Sequence, residues 1–264
     1  GGERTEGAFD EAIRHCITKM SHLHFVAAEE YKRRVIQLGE QAERVFLVGG
    51  LGIDNIQRLN LLNRKELEEK LEINLAKHNL LITFHPTTLE NRTSAAQMDE
   101  LLAALSERKE TGLIFTMPNA DTDSRHLFKQ IEEFCLMRPH AKAFSSLGAL
   151  LYLSCIQHVD GIVGNSSSGL TEAPSFRKGT INIGDRQRGR LRASSVIDCK
   201  PNREAIKVAL NKLYSDDFLD QLDKATNPYG ITGASTSVVD ILENISLDET
   251  IKKTFNDMQN NQHG

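Results

Sequence analysis

Three hydroxyl side chains in a row, Ser166-Ser167-Ser168, stand between Asn165 and Gly169, and a carboxylate follows at Glu172. Small, turn-prone residues let a backbone approach a ligand closely and turn its amide hydrogens toward it. An apolar run, Gly161–Gly164, precedes this loop, and a second, Thr180–Ile183, follows the short helix expected over Leu170–Phe176. Strand, small-residue loop, helix N-terminus and strand together aim free N–H groups and a positive dipole end at a phosphate. Glu172 is expected in the first helical turn, where a carboxylate is tolerated and can also reach a polyol. Beyond the second strand come Arg186, Arg188, Arg190 and Arg192, four cations at alternating positions. By itself the Ser-rich loop reads first as a helix cap. Loop, carboxylate and cations in combination suit a sugar nucleotide.

Other residues with chemical potential lie upstream. Asp10 and Arg14 are four apart in a helical pattern over Phe9–Met20 and so share a face. Taken alone they read as a surface ion bridge worth roughly a few tenths of a kcal/mol. His85 stands just past the strand Asn79–Phe84, and Asn165 just past Gly164. His22 and His24 flank Leu23, but no third metal ligand accompanies them, so polar or half-buried histidines are expected. Gly49-Gly50-Leu51-Gly52 follows the run Val45–Val48 without the full spacing of a dinucleotide loop.

The elements that must position these groups are strands alternating with helices. After Val45–Val48, expected to open a new unit, the pattern gives strands at Asn79–Phe84, Gly112–Thr116, Ala143–Phe144, Gly161–Gly164, Thr180–Ile183 and Ser195–Asp198. Helices are expected over Glu29–Leu38, Ala95–Glu107, Asp123–Leu136, Leu147–Gln157, Asn202–Tyr214 and Thr236–Ile245. Repeated β–α units of this length imply an α/β fold with a doubly wound parallel sheet, whose ligands bind outside the carboxyl ends of the strands. Residues 248–264 are polar and expected to fray.

Composition narrows the class. The chain has 264 residues, a net charge of −4, 39% hydrophobic residues and no Trp. The arginine cluster is therefore a local feature on a mildly acidic chain, unlike the broad basic face of a nucleic-acid binder. Four scattered cysteines with no CxxC pair favour reduced thiols in a cytoplasmic protein. No apolar run reaches the roughly 18–20 residues that span a bilayer.

The stretch GGERTEGAFDEAIRHCITKMSHLHF, together with the Ser loop, Glu172 and Gly184-Asp185-Arg186-Gln187-x-Gly189-Arg190, resembles the UDP-N-acetylglucosamine 2-epimerases, within them the hydrolysing, sialic-acid branch. The resemblance implies the carboxyl-terminal half of a two-domain B-type glycosyltransferase-like fold. Residues 1–44 would be a remnant of the amino-terminal catalytic domain, 45–235 a UDP-binding Rossmann-like domain, and 236–264 a crossing helix and tail. Because Gly1 falls inside a motif, the resemblance further implies that a domain precedes it, and that this chain alone binds nucleotide without turning over.

The site residues follow from the same resemblance. Asp10 and Arg14 would belong to the active site, Asp10 as acid/base and Arg14 orienting it or holding charge. His85 would contact phosphate or assist proton transfer, Ser166 and Ser167 would meet the diphosphate, Glu172 the ribose hydroxyls, and Arg186 the nucleotide. The implied reaction is elimination of UDP from UDP-N-acetylglucosamine to a 2-acetamidoglucal, then hydration to N-acetylmannosamine, with no metal or other cofactor. The implied partner is the UDP-sugar, with no nucleic acid or membrane and with homo-oligomers of the full-length protein. A glycosyltransferase of the same fold, a UDP-sugar binding module, and an epimerase of another 2-acetamido sugar such as diacetylbacillosamine are the competing readings.

Overall fold

The structure, a computed structural model, describes residues 1–5, 10–86, 94–118, 124–230, 232–246 and 252–257. Phe9, Asp123 and the tail at 248–251 and 258–264, for which expectations were stated, lie outside the described residues.

The chain opens with α1 (Glu11–Met20), β1 (His24–Val26), α2 (Glu29–Gln37) and β2 (Val45–Leu47). Two helices, α3 (Leu51–Arg58) and α4 (Arg64–Leu71), lead to β3 (His78–Thr83), α5 (Ser94–Leu105), β4 (Thr111–Thr116) and α6 (Ser124–Leu136). Then come β5 (Ala141–Phe144), α7 (Gly148–His158), β6 (Gly161–Gly164), α8 (Ser168–Thr171) and β7 (Gly179–Ile183). The series ends with β8 (Val196–Cys199), α9 (Arg203–Leu213), α10 (Asp216–Asp223) and α11 (Ala234–Asn244).

Six strands form one sheet in the order β5-β4-β3-β6-β7-β8, every pair parallel. Parallel strands need covered faces, and β3 shows how the sequence provides them. Leu80 and Ile82 enter a core with Met98, Leu101, Phe115, Val163 and Leu210. Leu81, between them, points the other way into a core with Leu67, Leu71, Ile114 and Ile156. Helices therefore cover both faces, and the sheet is doubly wound. Strand order runs outward both ways from the β3–β6 pair, so the crevice at their carboxyl ends is the topological switch point.

β2, expected to open a new unit, does not join this sheet. It pairs in parallel with β1, Phe25 opposite Phe46, in a separate two-stranded sheet. A three-residue run carries no information about its partner, and the neighbouring core decides it. Val26, Tyr31, Val35, Val45, Ile53, Leu170 and Tyr229 make that core, joining the small sheet to α8. The expected helix over Leu170–Phe176 is likewise two pieces. α8 ends at Thr171 and a 3-10 turn runs over Ala173–Phe176 with Glu172 at the joint. Pro174 lacks the N–H that a continuing α-helix would use, which forces the change.

Part of the tail expected to fray is held. The Lys253 ammonium donates to the carbonyls of Lys19 at 2.5 Å and Ser21 at 2.6 Å, at the carboxyl end of α1. It also pairs with Glu40 at 2.7 Å, and the Asn256 N–H donates to the Gly39 carbonyl at 2.9 Å.

Candidate functional site

At the switch point the backbone of β6 comes unusually close to β3. Gly164 has φ +138, and a Cβ there would sit 1.9 Å from the Thr83 carbonyl oxygen, so only glycine fits. The next residue, Asn165, is fully buried. Its N–H donates to the Thr83 carbonyl at 3.1 Å. Its side-chain oxygen accepts the His85 N–H at 2.7 Å, and its side-chain nitrogen donates to the His85 carbonyl at 2.9 Å. Its own carbonyl accepts from Arg186 Nη1 at 3.0 Å and from Gln187 Nε2 at 2.8 Å. His85 and Arg186, expected from the sequence as nucleotide contacts, are thus gathered on one buried residue.

The Ser loop leads on from Asn165. Ser167 occupies the N-cap position of α8, yet its side chain makes no capping hydrogen bond. The Ser166 hydroxyl instead accepts the Ser168 N–H at 3.4 Å. The Ser166 hydroxyl lies 3.2 Å from that of Ser168, which in turn bonds the Tyr152 hydroxyl. Burial pushes the Tyr152 phenol above its ordinary value, so it stays protonated and able to donate. Tyr152 lines a cavity of about 590 Å³ with Thr83, His85, Thr116, Pro118, Ser146 and Gly148. These lie at or beyond the carboxyl ends of β3, β4 and β5, with apolar walls and a few hydroxyls, as small-molecule sites usually have.

Glu172 is not in the first turn of a helix; it follows α8, where its carboxylate accepts a bond from the Thr171 hydroxyl. It lines a second cavity, about 320 Å³, with Glu3, Gly49, Gly50, Gly52 and Tyr229. Gly52 packs so closely that a Cβ would stand 2.9 Å from Glu172 Oε1. Within the glycine run after β2, Gly52 thus lets the chain approach a carboxylate closely.

Asp10 and Arg14 meet as expected, Nε to Oδ2 at 3.3 Å. Sequence reasoning missed what surrounds them. Glu11 is also paired with Arg14, and accepts from the Thr5 N–H at 2.8 Å and bonds His15 at 3.0 Å. Burial alone would raise the Glu11 carboxyl, but the Thr5 N–H, His15 and Arg14 together hold it below its ordinary value. Arg14 Nη1 donates to the Glu3 carbonyl at 3.3 Å, and Glu3 pairs with Arg190 at 3.4 Å. Arg190 therefore links the loop after β7 to the amino-terminal loop. Arg192 pairs with Asp198 at 2.9 Å.

His24, discounted as a metal ligand, is buried and bonds Glu40 at 2.8 Å. Among the described residues no group of three His, Cys, Asp or Glu could hold a metal ion, and no helix is long and apolar enough to cross a membrane. Tyr152 and Asn165 gave only faint signals: one phenol in the otherwise apolar run of α7, and one amide directly after a strand glycine.

Comparison with known proteins agrees with this fold. The UDP-N-acetylglucosamine 2-epimerase family profile matches residues 1–243. The GDP/UDP-N,N'-diacetylbacillosamine 2-epimerase (hydrolyzing) of Campylobacter jejuni is 42% identical over 98% of this chain and 67% of its own length. The polysialic acid biosynthesis protein P7 of Escherichia coli is 43% identical over 92% of this chain and 62% of its own. The chain thus spans about two thirds of the length of these relatives. Among solved structures, the S. aureus MnaA–UDP complex superposes with a TM-score of 0.72 at 18% identity, covering 95% of this chain and 66% of that one. The doubly wound sheet, the loop beyond its switch point and the match over nearly the whole sequence lead to one conclusion: this chain belongs to the UDP-N-acetylglucosamine 2-epimerase family.

Proposed function

We propose that the chain holds a UDP-sugar at the switch point and takes part in its hydrolysing 2-epimerisation. The observation that carries this is the convergence, in a member of this family, of His85, Arg186 and the Ser166–Ser168 hydroxyls at the carboxyl ends of β3 and β6. In this reading Ser166, Ser167 and the loop amides receive the diphosphate, with His85 and Arg186 as further donors. Glu172 accepts from the ribose hydroxyls, a task suited to the two oxygens of a carboxyl group.

The chemistry follows from the charges. A base removes the proton on the sugar C2, the bond from C1 to the diphosphate oxygen breaks, and UDP leaves with the electron pair. Water then adds across the new C1=C2 bond, hydroxyl at C1 and a proton at C2 from the opposite face, giving the free 2-epimer. Donors that meet the departing diphosphate stabilise charge as it develops. Asp10 serves as acid/base for the sugar and Arg14 orients it, the pair standing on α1 and tied through Glu3 to the edge of the smaller cavity. The names of the Campylobacter jejuni and Legionella pneumophila relatives, both diacetylbacillosamine epimerases, support a second substrate reading in which the sugar carries an additional acetamido group.

Two measurements on the 264-residue chain test the proposal. Calorimetry with UDP tests the nucleotide site, and NMR of UDP-N-acetylglucosamine or UDP-diacetylbacillosamine mixtures follows UDP and the free 2-epimer. UDP release with transfer to an acceptor, and no free epimer, would favour a glycosyltransferase. UDP binding without turnover would leave the chain as the nucleotide-holding part.

A further inference from the structure

Asn165 touches both groups expected to meet the diphosphate. We propose that it is a positioning residue, holding His85 and Arg186 in register across three strand ends; this rests on the nucleotide reading above.

The side chain of Asn165 clasps the backbone of His85 from both sides, accepting at 2.7 Å and donating at 2.9 Å. Among side chains only a carboxamide offers a donor and an acceptor in that fork at neutral pH. The clasp fixes where the chain leaves β3, and with it the direction of the imidazole. The carbonyl of the same residue accepts from Arg186 and Gln187, which pins the loop after β7. Gly164 is the condition for this arrangement, since any side chain there would strike Thr83 and push Asn165 away from His85. One buried residue therefore sets the separation of an imidazole and a guanidinium that must act on one ligand. Displacements of about 1 Å between such groups can cost on the order of a hundredfold in rate.

Strand β3 carries an internal control. At its amino end Asn79 makes an equivalent clasp, accepting from the Ala76 N–H and donating to the Ala76 carbonyl, both at 2.9 Å. Asn79 is buried like Asn165 but lies at the opposite end of the strands from the crevice.

The test is a double-mutant cycle read by calorimetry with UDP, with thermal melting in parallel. Asn165→Ala should weaken UDP roughly tenfold, the worth of one to two lost hydrogen bonds. His85→Ala should cost markedly less in the Asn165→Ala background than in the wild type, because the imidazole is already misplaced. Asn79→Ala should lower the melting temperature and leave UDP affinity unchanged. If Asn165→Ala does not fold, Asn165→Ser carries the same cycle. Losses that simply multiply, wild-type affinity in folded Asn165→Ala, or an equal loss in Asn79→Ala would each overturn the positioning role while the nucleotide reading stands. A wild-type chain that does not bind UDP would overturn both.

Discussion

Glu172 and His85 line different cavities, and that separation makes their roles separable by experiment. Glu172 offers a carboxyl acceptor beside Gly52, where a Cβ would stand 2.9 Å from its Oε1. Hydrogen bonds to charged groups contribute about 1.5–3 kcal/mol, so Glu172→Ala is expected to weaken UDP by roughly one to two orders of magnitude. Calorimetry checks this, and equal affinity in the two proteins would remove Glu172 from the site. His85 stands where the leaving diphosphate gains charge. In the complete enzyme, His85→Ala should lower formation of the free 2-epimer roughly a hundredfold or more while folding normally, as loss of a proton-transferring side chain does. The readout is turnover beside the far-ultraviolet dichroism of the same sample.

At the scale of elements, two buried carboxylates tie distant segments together. Asp54 on α3 accepts from the N–H groups of Gly233 at 2.7 Å, Ala234 at 3.1 Å and Ser235 at 2.6 Å. It caps α11 from another part of the chain. The Ser235 hydroxyl and these amides hold its carboxyl down at about 2. Its contribution is therefore complete above the ordinary carboxylate value of 3.8 and fades as pH falls through about 2. Removing such a cap costs about 0.5–2 kcal/mol, so Asp54→Ala should lower the denaturant midpoint at pH 7 while the two proteins converge in strong acid. A constant difference down to pH 2 would contradict the assignment.

Glu40 does the same for the tail. It is buried among Lys19 at 2.5 Å, Lys253 at 2.7 Å and His24 at 2.8 Å. Burial alone would raise it, but the two ammonium groups and His24 hold it below its ordinary value. Burial lowers His24 against the pull of Glu40. Both shifts act in one direction: support from neutral His24 is lost as pH falls below 6.5 toward its depressed value, and that from Glu40 below 4.5. Glu40→Gln should therefore release residues 252–257 and speed hydrogen exchange at the Asn256 amide, which bonds Gly39. Unchanged protection of that amide would show that the tail is held without Glu40, by the bonds of Lys253 to the carbonyls of Lys19 and Ser21.

For the molecule as a whole, the apolar surface is uneven. α1 exposes Ile13 at 54%, Ile17 at 56% and Met20 at 79%, all on one face at helical spacing, and α11 exposes Val239 and Leu242. Contiguous apolar faces of this kind promote association. The chain should show concentration-dependent association in sedimentation, and Ile17→Glu should shift it toward monomer without changing UDP affinity. A monomer at all concentrations in both proteins would show that these faces do not meet.

What the sequence by itself determined is the part written in local pattern. Alternation in Leu80-Leu81-Ile82, apolar on both faces, already implies a parallel sheet covered twice, and Gly164 followed by small polar residues already marks the crevice. The i, i+4 spacing of Asp10 and Arg14 sufficed to pair them. α3, α4 and α10 escaped a reading by apolar period. α4 nevertheless carries a capping box in Asn63 and Glu66, with bonds of 3.1 and 2.9 Å, that its spacing announces. Only the tertiary structure decided the rest. Which partner the three-residue β2 takes, which carboxylate caps α11, where Lys253 lands and what Asn165 clasps all depend on residues tens to hundreds of positions away. Hydrogen-bond capacity is local to a side chain, but its partner is set by how the cores bring strand ends and helix ends together.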